Sequence, residues 1–325
     1  MSDNTNDTGV FVISLDFELL WGVWDVTTKK RYGANILGVK EVIPQLIDLF
    51  DRYHIKVTFA TVGSLFARNK EELLSYIPSR IPAYANGHYN VYKKEFPALG
   101  SDENDDPYHF GYSLFEQVKQ STHEIGTHTF SHYFCLEKGQ SKEDFEADIV
   151  AAKKIAAANN VTLSSIVFPR NQVNPEYLSI LQAHGIHVYR HNQPSWIYKP
   201  RTLAAENIFI RICRFLDAYF PLSGHNTYPI SRQAGQAVNI PASRFLKPYN
   251  RHLAWLEKLK LNRILTEMTL AAQKKHLYHL WWHPHNFGVN IPENMANLTV
   301  ILDHYAYLNK TYGFRNSTMK EAAGV

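Results

Sequence analysis

An α/β fold built on a parallel sheet with crossover helices is what this 325-residue sequence predicts. Three observations lead there. Short apolar, β-branched runs alternate with segments whose apolar residues recur at helical spacing. Acids, histidines and an arginine fall at the ends of those runs, where the strands of a parallel barrel gather functional groups on its carboxyl face. A hydrophobic fraction of 45% against 20% charged residues supplies enough apolar surface for one sizeable core or two modest ones.

The elements follow in order. Residues 9–15 form an apolar run that ends at Asp16, and residues 39–53 place Val39, Val42, Ile43, Leu46, Ile47 and Phe50 on one helical face. Residues 56–62 are the next strand, with Ser64 as N-cap of a helix through Leu74. A short strand at 124–127 precedes a helix over 141–158, where Ser141 caps and Asp144 sits in the first turn. Strands at 164–168 and 186–189 flank a helix at 175–184, and a strand at 277–282 leads to a terminal helix at 292–309. Two insertions break the rhythm. Residues 81–112 are rich in Pro, Gly, Asn, Asp and Tyr and read as a long loop. Residues 192–275 pass through an aromatic region to a helix near 253–273, and a segment of this size and composition is expected to form lids or substrate walls. With no internal repeat and no linker, residues 1–325 read as one domain.

Composition excludes several classes. Two cysteines, Cys135 and Cys213, are too few for a disulfide framework and read as free thiols. The polar start of the chain, residues 1–7, lacks the charged and apolar regions of a secretion signal, so a cytoplasmic location is expected, with peripheral attachment to a membrane as a variant. The most apolar stretch, residues 208–222, is interrupted by Arg211, Arg214 and Asp217 and cannot span a bilayer. A net charge of +4 is spread without a polybasic run, which gives nucleic-acid binding no support and leaves the oligomeric state open.

The chemistry concentrates in four places. His128 and His132 stand four residues apart, and on a helical turn that spacing lets two imidazoles reach one divalent ion. Asp16 and Glu18 are two apart, so on a strand both carboxylates enter one pocket. Arg170 follows the strand at 164–168, and His283-Pro284 follows the last strand. Together they supply metal ligands, a base, an orienting cation and an acid for metal-assisted hydrolysis.

These stretches resemble the polysaccharide deacetylase family. Ser14-Leu15-Asp16-Phe17-Glu18 is similar to its first motif, His128-Thr129-Phe130-Ser131-His132 to H-[ST]-x-x-H, Phe168-Pro169-Arg170-Asn171 to its third motif and Leu280-Trp281-Trp282-His283-Pro284 to L-x-x-H-P. Phe17 separates acids that are commonly adjacent, and the usual proline after the arginine is missing at Asn171. The resemblance implies a distorted (β/α) barrel with about seven strands and removal of N-acetyl groups from amino sugars. It implies Glu18, His128 and His132 as ligands of Zn²⁺ or another divalent metal, Asp16 as base, Arg170 as the residue orienting Asp16, and His283 as acid. The expected substrate is an N-acetylated sugar or oligosaccharide, nucleotide-linked or lipid-linked, with Arg211 and Arg214 as candidates to meet a diphosphate or an anionic membrane surface. Two other readings stay open at this level: a binding barrel without turnover, and a metal-free glycoside hydrolase using Asp16 and Glu18.

Overall fold

The structure, a computed structural model, describes residues 8–233 and 235–325; the amino-terminal stretch 1–7, read as lacking a secretion signal, lies outside them. Nine strands make one sheet: β1 Val10–Phe17, β2 Thr58–Thr61, β3 Glu124–Thr127, β4 Ser165–Val167, β5 Val188–Arg190, β6 Val238–Asn239, β7 Arg244–Phe245, β8 Leu277–Trp282 and β9 Arg315–Asn316. Their order is β6-β5-β4-β3-β2-β1-β8-β7, with β9 beside β1 and every ladder parallel.

The two ends of that order belong to one stretch of chain. Residues 238–242 donate to β5 and its extension, from Val238 to the His187 carbonyl, Ile240 to Tyr189 and Ala242 to His191. The same stretch then crosses to β8, with Ser243 donating to the His279 carbonyl and Leu246 to Trp281. Counted once, this segment closes a distorted (β/α) ring of seven strands. It lies inside the stretch expected to be wholly an insertion. Two-residue pairings on each partner leave too little alternation for a strand to be read there.

β1 is buried along all eight residues because it has a covered face on each side. Phe11, Ile13, Leu15 and Phe17 belong to the outer core cluster, to which the helix Val39–Arg52 contributes Val39, Val42, Ile43, Leu46, Leu49 and Phe50. Val10 and Val12 point inward with Ala60, Val167, Val188, Ile240 and Leu277, and the helix Met319–Ala323 adds Met319, Ala322 and Ala323 to that interior cluster. Further along the same face the interior turns polar at Ser14 and Asp16. The barrel is therefore apolar at its amino end and polar at its carboxyl end.

Two local expectations change. Residues 64–74 do not form one helix: a 3-10 turn at Gly63–Phe66 is followed by a helix at Lys70–Ser75 that Asn69 caps. His128 and His132 do not sit on a helical turn, because the chain leaves β3 at Thr127 and takes left-handed conformations at Thr129 (φ 63°) and His132 (φ 57°). Residues 81–112 hold only short helical pieces, as their composition predicts. The helix Lys142–Ala158 carries its expected cap, a Ser141/Asp144 capping box. Cys135 and Cys213 are both free.

Candidate active site

Asp16, at the carboxyl end of β1, is 2% exposed and would be costly to ionise without a partner. The partner is Arg190, the last residue of β5. Its Nη1 and Nη2 donate to the two Asp16 oxygens at 2.8 and 2.7 Å, a two-pronged match of guanidinium to carboxylate. Arg190 also donates to Ser14 Oγ (2.8 Å) and Asn171 Oδ1 (3.1 Å) and lies 4.2 Å over the Trp281 ring. Burial pushes the Asp16 carboxyl up, but the charges of Arg190, His128 and His283 outweigh it and hold it below its ordinary value.

This corrects the sequence reading, which gave the orienting role to Arg170. Arg170 instead pairs with Asp25 and takes a left-handed backbone (φ 55°). It still lines the reactive cavity. Arg190 ends β5 as the other functional residues end or follow their strands, so its position carried the only sequence signal it has.

Glu18, two residues beyond Asp16, faces the histidine pair. Its Oε2 lies 3.1 Å from His128 Nε2 and 3.2 Å from His132 Nε2, with all three residues buried. His128 Nδ1 is 2.8 Å from the Val167 carbonyl, which can only accept, so the ring proton sits on Nδ1. Nε2 is then the ring atom left to meet Glu18, whose Oε2 makes no aligned hydrogen bond of its own. Two acceptors at 3.1 Å repel unless a cation lies between them. Two imidazoles and a carboxylate converging in this way fit a divalent metal. Burial raises the Glu18 carboxyl, yet the His283 charge and the neighbouring imidazoles bring it well below its usual value.

Two supports place these donors. Asp148, on the helix Lys142–Ala158, accepts from Phe130 N (2.6 Å) and Ser131 Oγ (2.5 Å), which pins the turn between the histidines. Gly22 makes room for Glu18, since a side-chain carbon there would lie 1.9 Å from the carboxylate.

His283 follows β8. Its Nδ1 is 3.0 Å from Asn286 Oδ1, and its Nε2 stands 3.7 Å from Asp16 and 3.5 Å from Glu18. Asn286 in turn donates to Tyr32 OH at 3.1 Å. His285 stacks on His283 at 4.9 Å, and burial presses its pKa down to about 3. Glu18, His283 and His285 form a second group of close donor atoms, so a role for His285 escaped a reading based on motif spacing alone. Asp16, Glu18, His128, His132, Arg170, His283 and His285 all line one cavity of about 260 Å³.

Comparison with known proteins bears on the family and the fold. The family model for polysaccharide deacetylase matches residues 35–189. Among solved structures, a Mycobacterium smegmatis protein assigned to the polysaccharide deacetylases superposes with a TM-score of 0.61 at 11% identity, covering 100% of this chain and 92% of that one. A Pseudomonas aeruginosa PAO1 protein of the same assignment gives 0.57 at 9% identity, covering 98% and 91%. The allantoinase Puue gives 0.56 at 7% identity, again covering 98% and 91%. At these identities the likeness is one of fold. No curated protein sequence matches the chain.

Proposed function

Because this chain carries a polysaccharide deacetylase domain, we propose that it is a metal-dependent hydrolase that removes an N-acetyl group from a carrier-linked amino sugar, with residues 1–325 acting as one catalytic unit. The observation that carries the reading is the division of labour between two carboxylates at the carboxyl end of β1. Asp16 is tied to Arg190, while Glu18 faces two imidazole nitrogens. Environments that differ in this way give two acids different tasks.

Glu18, His128 and His132 would hold the metal, with Zn²⁺ the ion best suited to this donor set, and when bound it supplies a Lewis acid for the acyl carbonyl and an activated water. Asp16, kept ionised by Arg190, takes a proton from the attacking water. His283, whose Nε2 stands 3.7 Å from Asp16, gives a proton to the amide nitrogen as the C–N bond breaks, leaving acetate and a free amine. Asn286 holds the His283 ring by Nδ1, so that Nε2 faces the reacting groups. No helix among the described residues is long and apolar enough to cross a membrane.

The test is acetate release from N-acetylated chitooligosaccharides by zinc-loaded protein. Asp16→Asn should keep the metal and lose about 10²- to 10⁴-fold in turnover, the usual worth of general base catalysis. Sugar binding without acetate release by wild type would favour the binding barrel, and turnover that survives chelation would favour the glycoside hydrolase.

A further inference from the structure

The helix Ile208–Asp217 carries a stripe of apolar side chains that the protein leaves in water. Ile208, Phe209, Ile212 and Leu216 fall on one helical face, with exposure from 69% at Ile208 to 39% at Leu216. Phe220 and Leu222 continue the exposed run, and Trp196, 58% exposed, stacks on Phe209 at 6.2 Å. The helix is firmly built. Asn207 caps it by accepting from Ile210 N at 2.9 Å, and at the other end Asp217, fully buried, accepts from Tyr198 OH (2.8 Å), Ser223 N (2.7 Å) and Arg244 (3.4 Å). A contiguous exposed apolar run on a rigid helix marks a surface that something covers.

Another side of the same helix walls a cavity of about 360 Å³ through Arg211, Arg214, Phe215 and Ala218. That cavity and the reactive one share Arg170, Asn171, Phe245 and His283, so the two are continuous. Its charge is lopsided. Arg214 is matched by Glu206 at 2.9 Å and Arg244 by Glu267 at 2.6 Å. Lys199, Arg211 and Lys247 have no carboxylate partner among the described residues, and Arg201 donates only to the carbonyls of Trp196, Ile197 and Lys199. Four uncompensated cations next to an acylated sugar site have nothing to recognise on a neutral oligosaccharide. An apolar stripe flanked by cations is instead complementary to an anionic lipid interface.

We propose that this face docks the enzyme on an anionic phospholipid surface and that the cationic cavity takes the phosphate of a lipid-linked N-acyl sugar, which brings the sugar to His283. The substrate half rests on the hydrolase reading above; the docking half does not.

The test sediments the full chain with vesicles of phosphatidylcholine, with and without phosphatidylglycerol. Wild type should partition onto the anionic vesicles, Phe209→Glu should lose that partitioning, and Arg211→Glu should lose on the order of tenfold. Equal partitioning of wild type and Phe209→Glu, or none by wild type, overturns the docking. In parallel, turnover of polyprenyl-diphosphate-linked N-acetylglucosamine in vesicles is compared with that of soluble N-acetylchitooligosaccharide. Phe209→Glu should slow the first and spare the second, which also shows that the variant is folded. Lys199→Glu should raise KM for the lipid-linked substrate alone, and inorganic pyrophosphate should compete. Equal effects on both substrates overturn the phosphate site. Absence of turnover on both substrates by wild type defeats the hydrolase reading and the substrate half with it, while the vesicle measurement still decides docking.

Discussion

Arg190→Met removes the group that would keep Asp16 ionised for its proposed role as base. Two charge-assisted hydrogen bonds of 2.8 and 2.7 Å disappear, and the buried carboxylate keeps only the weaker approach of His283 Nε2 at 3.7 Å. Breaking one side of such a pair costs about 3–5 kcal/mol if the remaining charge persists. Asp16 can avoid part of that cost by taking up a proton, so its pKa rises. A neighbouring cation is worth about 1–3 pKa units to a carboxylate, and the acid limb of kcat/KM against pH should move up by that amount. The sign of the stability effect follows. In wild type the folded Asp16 pKa lies below the ordinary 3.8, so its contribution is fully present above that value and is lost as the pH falls through the folded value. In Arg190→Met the folded pKa rises, so that contribution shrinks, and it reverses to one lost with rising pH where the folded value passes 3.8. The assays are the pH profile of acetate release and urea midpoints across the same pH range. Arg170→Met is the control, because Arg170 pairs with Asp25 and should leave the acid limb in place. An unmoved limb in Arg190→Met, or a shift of that size in Arg170→Met, refutes the assignment.

Three further outcomes are expected. His128→Ala and Glu18→Ala should each lose bound zinc with little change in circular dichroism, and elemental analysis that finds wild-type metal in either would remove it from the ligand set. Gly22→Ala should displace the Glu18 carboxylate and reduce zinc content as Glu18→Ala does, since the added carbon meets that group at 1.9 Å; full zinc occupancy would show that the loop yields. Asp148, which burial raises to about 6, binds more protons folded than unfolded between its ordinary 3.8 and that value, so its contribution falls as the pH rises through this window by at most about 3 kcal/mol. Urea midpoints should therefore decline less steeply across that window in Asp148→Asn, and identical slopes would argue against the shift.

The sequence by itself determined the strand–helix alternation and most of the reactive groups. Both are written in local periods: the i, i+2 spacing of Asp16 and Glu18 brings both carboxylates to the end of β1, and the helical spacing of residues 39–53 marks a helix with one buried face. It also marked Arg211 within an apolar stretch, though not what that stretch faces. Tertiary structure alone decided which arginine meets Asp16. β1 and β5 lie on different parts of the ring, and only its closure by residues 238–246 turns Arg190 and Asp16 into one interior, while a left-handed turn sends Arg170 to Asp25. The histidine pair shows the same limit. Its spacing suggested a shared ligand, but the path that brings both rings to Glu18 runs through left-handed turns held by Asp148, eighteen residues from Phe130. Local pattern fixes which way a side chain points from its own strand. Which distant side chain it meets depends on how the strands close around a common interior, and no local period contains that information.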